Sequence, residues 1–137
     1  MLFPIVVHQA GESSYGVTVP DLPGCFSSGK TLDEAMASAH EAIEAHLELL
    51  AEAGADIPHA GTVQAYVARP DYAGGVWALA NVDITPYLGK AEKINVTLPG
   101  RLLRRIDDVV GHNPRFKSRS GFLAEGALLL LERARHV

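Results

Sequence analysis

Lys93, Asn95 and Thr97 alternate with Ile94, Val96 and Leu98. An extended segment there would carry an ammonium, a carboxamide and a hydroxyl on one face and three apolar side chains on the other. A second polar group, Lys117-Ser118-Arg119-Ser120, places two cations and two hydroxyls where Ser118 is suited to cap a helix. Both are binding chemistries, with no nucleophile beside a base. The usual catalytic patterns are missing from the chain: no Gly-x-Ser-x-Gly elbow, no glycine-rich phosphate loop and no His-Glu-x-x-His pair. His40 and His46 stand six apart on one predicted helix, poor spacing for a shared metal, and His8, His59, His112 and His136 are scattered. Cys25 follows a turn without an evident base and reads as a packing residue. The expectation is no catalytic residue, no metal and no cofactor.

The charge of this 137-residue chain is divided unevenly. Residues 1–89 carry Lys30 and Arg69 against eleven acids, a balance of −9, and residues 90–137 carry ten Lys and Arg against five acids, a balance of +5. An acidic body joined to a basic piece suggests that the basic piece meets nucleic acid. A hydrophobic fraction of 47% suffices to bury a core, while no apolar run is long enough to cross a bilayer. With one cysteine and no signal-peptide pattern at Met1-Leu2-Phe3-Pro4, a reducing cytoplasm is the expected compartment.

The elements that must position these groups follow from periodicity. Phe3–His8 and Tyr15–Val19 flank a polar turn and predict an antiparallel hairpin; Cys25–Ser28 predicts a short third strand after the Pro20–Gly24 turn. That turn is either a contact surface or purely structural. Thr31-Leu32-Asp33-Glu34 is a capping-box sequence, with Glu34 able to reach back to the amide of Thr31. The helix it opens carries an apolar stripe of Leu32, Met36, Ala39, Ile43, Leu47 and Leu50, sets Glu41, Glu44 and Glu48 mostly elsewhere, and stops near Gly54. Thr62–Ala68 and Val76–Ile84 read as two further strands. The first module, residues 1–84, is thus α+β, a mostly antiparallel sheet with one helix, and residues 85–92 read as a linker.

In the second module, residues 93–137, the alternating strand precedes a helix with Pro99 in its first turn and Gly111 at its end. A second helix, capped by Ser118 and running to about Arg135, is apolar on nearly every side through Ala127-Leu128-Leu129-Leu130-Leu131. A helix apolar all round must be buried all round, and a lone strand has no ladder partner. A second copy of the chain has to supply both, so an intertwined homodimer with the two strands paired is expected.

From about Glu92 to Arg135 the pattern resembles the ribbon-helix-helix family of DNA-binding proteins. The resemblance implies that Lys93, Asn95 and Thr97 face base edges in the major groove, where Lys suits guanine and Asn suits adenine. It also implies that Lys117, Ser118, Arg119 and Ser120 hold phosphate. The hairpin, Pro20-Asp21-Leu22-Pro23-Gly24-Cys25-Phe26 and the acidic helix opened by Thr31-Leu32-Asp33-Glu34-Ala35, followed by that tail, together resemble the HicB-type antitoxin family over essentially the whole chain.

This second resemblance implies a partial ribonuclease-H-like first domain that masks a small basic HicA-type mRNA interferase. It also implies a second domain that binds the operator of its own operon as a dimer or dimer of dimers. The acidic first module has the sign needed to attract such a toxin, and Glu41, Glu44 and Glu48 are the contact residues it suggests. Nuclease activity is not expected: Phe3–His8 contains no acid, and Asp21, Asp71 and Asp83 lack a metal-binding spacing. The alternatives are a free-standing regulator whose first module senses a small ligand, and an interaction module that never meets DNA.

Overall fold

The β-branched run at the N-terminus forms β1 (Leu2–Gln9), which lies between β2 (Tyr15–Thr18) and β4 (Val76–Asn81), with β3 (Phe26–Gly29) outside β2. All pairings are antiparallel, in the order β3-β2-β1-β4. In this computed structural model residues 1–135 are described; His136 and Val137, with which the predicted second module ends, lie outside them. Two compact units are present, Met1–Ala91 and Glu92–Val137.

In the first unit, the pairing of Val7 with Val17 and Val76 puts Phe3, Ile5 and Val7 on the same side of the sheet as Val17, Ser27 and Ala80. Helix α1 (Leu32–Glu52) covers that side. The Ser27 hydroxyl donates to the Ala35 carbonyl at 3.4 Å. The approach is close enough that a Cβ on Gly29 would lie 2.4 Å from the Ala35 nitrogen. Phe3, Ile5, Ile43 and Leu47 are completely buried, each contributing about 1.5–3 kcal/mol of hydrophobic stabilisation.

Helix α1 starts as its capping residues dictate, with the Glu34 amide donating to Thr31 Oγ1 at 3.1 Å. The other half of the expected box is shifted by one residue: the Glu34 carboxylate accepts from the Lys30 amide at 2.9 Å, not from that of Thr31. The expected stripe holds at Ala39, Ile43 and Leu47, with Met36 and Leu50 half-buried, and fails at Leu32. Ala35, Ala39, Ile43 and Leu47 are the buried positions, and Leu32 is 51% exposed. The helix backbone passes close to β3 at Ala35, while Leu32, the first helical residue, stays outside the core.

Thr62–Ala68 is not a strand. It contains a single helical turn, α2 (Val63–Tyr66), capped by Thr62 Oγ1 accepting from the Ala65 amide at 3.3 Å. The opposite side of β1 is also covered: Pro4 and Val6 are buried, and a Cβ on Gly75 would lie 2.3 Å from Val6 Cγ2. β4 ends at Asn81, earlier than the expected Ile84, where its partner β1 runs out: Asn81 pairs with Leu2, and the Val82 amide still donates to the Met1 carbonyl at 2.9 Å. Thr85–Tyr87, within the expected linker, forms a 3-10 turn.

In the second unit, Lys93–Leu98 makes no ladder within the chain, and Ile94 and Val96 are 77% and 59% exposed. Helix α3 (Gly100–His112) has Pro99 at its N-cap instead of inside its first turn. It also runs one residue beyond Gly111, where His112 Nδ1 donates to the Asp108 carbonyl at 2.7 Å. Helix α4 (Arg119–Arg135) follows. Among the described residues of this unit Ile106 alone is a buried large apolar side chain, whereas Leu129, Leu130 and Leu131 are each at least half exposed. No described helix is long and apolar enough to cross a membrane.

Candidate functional site

Each unit presents one candidate surface. On α1 of the first unit, Glu41, Glu44 and Glu48 occur at three- and four-residue spacing, which brings them to one side of the helix. His40 fastens this side to the sheet, donating through Nε2 to the Asn81 carbonyl at 3.1 Å, with Nδ1 3.6 Å from Glu44 Oε1. Beyond them Glu48, Ala51, Glu52, Pro86 and Tyr87 line an open cleft of about 490 Å³. The Tyr87 phenol is pushed up by burial and then by the charges of Glu44, Glu48 and Asp83. Glu52 and Tyr87, which line the cleft with Glu48, extend this surface beyond what the helix pattern alone pointed to. The 3-10 turn carrying Tyr87 sits in a segment whose Pro86 and Gly89 read as linker.

In the second unit Lys93, Asn95 and Thr97 are exposed, as is every residue from Glu92 to Thr97. Ser118 caps α4: its Oγ accepts from the Gly121 amide at 3.0 Å. Phe116 and Phe122, 5.0 Å apart edge to face, pin the turn before the helix to its first turn. The cations around this helix start differ in availability. Arg119 is clamped by Asp107 of α3 through Nε to Oδ1 at 3.0 Å and Nη2 to Oδ2 at 2.9 Å. That hydrogen-bonded pairing holds the Asp107 carboxyl below the usual carboxylate range. Arg115 pairs with Glu125 at 3.0 Å and lies over Phe116. Among the described residues Lys117 has no carboxylate partner. Asp107 is a residue that sequence reasoning passed over, since its partner is twelve positions away in a different helix.

The loops of the first unit converge on Asp21, which accepts from the Gly61 amide at 2.9 Å and from the Tyr66 hydroxyl. Tyr66 stacks parallel to Trp77, Tyr72 meets Trp77 edge to face, and Arg69 lies 4.8 Å over the Tyr66 ring. The hydrogen bond to Asp21, burial and the Asp21 charge push the Tyr66 phenol up to about 12. Leu22 and Cys25 of the same loop are buried, and burial raises the Cys25 thiol. The Pro20–Cys25 segment is therefore built into the core on one side and braces the 61–77 region on the other. Among the described residues no group of three or more His, Cys, Asp or Glu converges as metal ligands.

Comparison with known proteins finds relatives in both sequence and structure. A family model described as "HicB_like antitoxin of bacterial toxin-antitoxin system" matches residues 3–127. An "Uncharacterized 14.9 kDa protein in rep-hol intergenic region" of Haemophilus phage HP1 is 43% identical over 125 residues, 91% of this chain and 93% of the relative. The crystal structure of the Burkholderia pseudomallei antitoxin HicB is similar with a TM-score of 0.71 at 48% identity, covering 93% of this chain and 96% of that one. A chain of a HicA3 and HicB3 toxin-antitoxin complex matches 61% of this chain and 99% of its own length, with a TM-score of 0.53 at 28% identity. The antiparallel sheet with its packed helix and the helical tail are the α+β architecture of these antitoxins. The chain belongs to the HicB-like antitoxin family of bacterial toxin-antitoxin systems.

Proposed function

We propose that the protein neutralises a HicA-like mRNA interferase by covering it with the first unit, and represses its own operon by binding operator DNA through the second. The observation that carries this reading is the near full-length likeness to a HicB antitoxin, 48% identical over 93% of the chain. The existence of a HicA3 and HicB3 complex supports a toxin of that class as the partner. Neutralisation in this reading is stoichiometric masking, with no chemical step performed by the antitoxin itself. It takes place in the cytoplasm, where mRNA, toxin and operator are found together.

Charge supports the division of labour. An RNA-cleaving toxin has to attract a polyanion, and the Glu41, Glu44 and Glu48 side of α1 competes for the same field. In the second unit, the exposed apolar side chains Ile94 and Val96 and the bare Leu129–Leu131 stretch support pairing with a second copy. Two paired strands would present Lys93, Asn95 and Thr97 twice, to a palindromic site, with Lys117, Ser118, Arg119 and Ser120 on the flanking phosphates. Such dimers are free to associate further as a dimer of dimers.

Co-expression with the adjacent small open reading frame tests the whole reading. The neighbour is expected to arrest growth alone, and to be harmless and co-purify when this protein is present. A neighbour that is innocuous by itself, or toxic whether or not this chain is made, would refute the antitoxin role.

A further inference from the structure

Arg119 is assigned above to phosphate, yet its guanidinium already has an anion. Asp107 occupies the Nε–Nη2 edge with both carboxylate oxygens, at 3.0 and 2.9 Å. That is the planar, two-point geometry by which arginine clamps a phosphate. Both side chains are about half exposed, so the pair is accessible to a competing anion and worth little as a structural brace. Its carboxylate is also the wrong sign to stand beside a phosphodiester. The neighbouring Asp108 carries the same charge without pairing to a described cation, and only its backbone carbonyl is engaged, by His112. A fold that needed only a surface charge for solubility had that already at Asp108.

We infer that Asp107 is a positioning residue that acts as an intramolecular competitor for DNA phosphate at Arg119. In free protein the carboxylate holds the guanidinium in the orientation of a phosphate clamp and cancels its charge. On DNA a phosphate displaces it, and Asp107 is left to recruit a counterion. The competitor lowers affinity for every duplex to a similar extent and removes about one cation's worth of salt dependence. This inference rests on the DNA-binding reading above and adds to it a device that weakens repression through one carboxylate.

The test is fluorescence-anisotropy titration of the full-length protein over a range of salt, with two probes: the DNA upstream of its operon and a shuffled duplex of equal length. Asp107→Asn is expected to bind both about two- to fivefold more tightly than the parent, with the slope of log K against log salt steeper by about 0.9. In the Arg119→Gln background the same substitution is expected to change affinity much less, since the competitor has lost its target. Asp108→Asn controls for net charge and is expected to give a smaller gain than Asp107→Asn that persists with Arg119→Gln.

Equal gains from Asp107→Asn and Asp108→Asn, or a gain from Asp107→Asn undiminished by Arg119→Gln, would reduce the effect to bulk charge and overturn the inference. Weaker binding by Asp107→Asn, with its helical circular dichroism and melting temperature matching the parent, would overturn it as well. If the parent itself binds neither duplex, the DNA-binding reading fails and the inference falls with it. The two failures are distinguished by the parent's own titration.

Discussion

The Asp21 carboxylate is the junction on which the loops of the first unit depend. It gathers Gly61 and Tyr66 across forty and more residues of chain, and Tyr66 in turn stacks on Trp77 of β4. Replacing Tyr66 by Phe keeps the stack and removes the hydroxyl, so a loss of about 1 kcal/mol is expected in urea unfolding. The pH dependence has a definite sign. Tyr66 in the folded protein holds its proton up to about 12, against an ordinary value of 10.0. Its contribution is full below pH 10.0 and fades as pH rises toward 12. Parent and Tyr66→Phe melting curves should therefore converge over that interval, and a gap that stays constant would remove Asp21–Tyr66 as the cause. In the second unit, Asn95→Ala should relax discrimination at one base pair of each half-site by about 1–3 kcal/mol. Unchanged preference for operator over shuffled DNA would exclude direct readout by Asn95.

Helix α1 is the element that does most for the first unit, since it covers one side of the sheet and displays the acids on another of its faces. Its start depends on Thr31, whose hydroxyl accepts from the Glu34 amide. Thr31→Ala should lower stability by about 1 kcal/mol, read from the urea midpoint at unchanged slope. Reversing the charge at Glu44 and Glu48 leaves the buried stripe of Ala35, Ala39, Ile43 and Leu47 intact. Glu44→Lys with Glu48→Lys should therefore fold normally and associate with the toxin several-fold more slowly at low salt, the difference shrinking as salt rises. Identical association rates would move the toxin contact away from this face. The segment Lys93–Leu98 is the opposite case: its side chains alternate as in a strand, yet it forms no ladder with any of the described residues.

For the molecule as a whole, the proposed pairing with a second copy is the source of stability assigned to the second unit. Ile106 is its one buried large apolar side chain among the described residues, too little to offset the chain entropy of ordering two helices. Val96→Lys, which keeps the chain's length and places a charge on the apolar side of the expected ribbon, should dissociate dimers in analytical ultracentrifugation while the first unit keeps its cooperative melting transition. A dimer that survives this change would have to be held together elsewhere.

Much of this was readable from local pattern. The hairpin, the capped acidic helix, the two C-terminal helices and the change of charge sign after Gly89 all follow from periodicity, capping residues and composition, which act over a few residues and are written in order along the chain. What the linear pattern misassigned depended on contacts between distant residues. Thr62–Ala68 reads as a strand yet contains a helical turn, from which Tyr66 reaches Asp21 and Trp77. Leu32 stays outside the core while Ala35 is buried where the helix backbone meets β3 so closely that Gly29 has no room for a side chain. The pairing of Arg119 with Asp107, which qualifies the proposed phosphate contact, joins two helices across a turn. Propensity and amphipathic period are properties of a segment and can be read from it; side-chain pairing and steric room are properties of the packed chain, and only tertiary structure decides them.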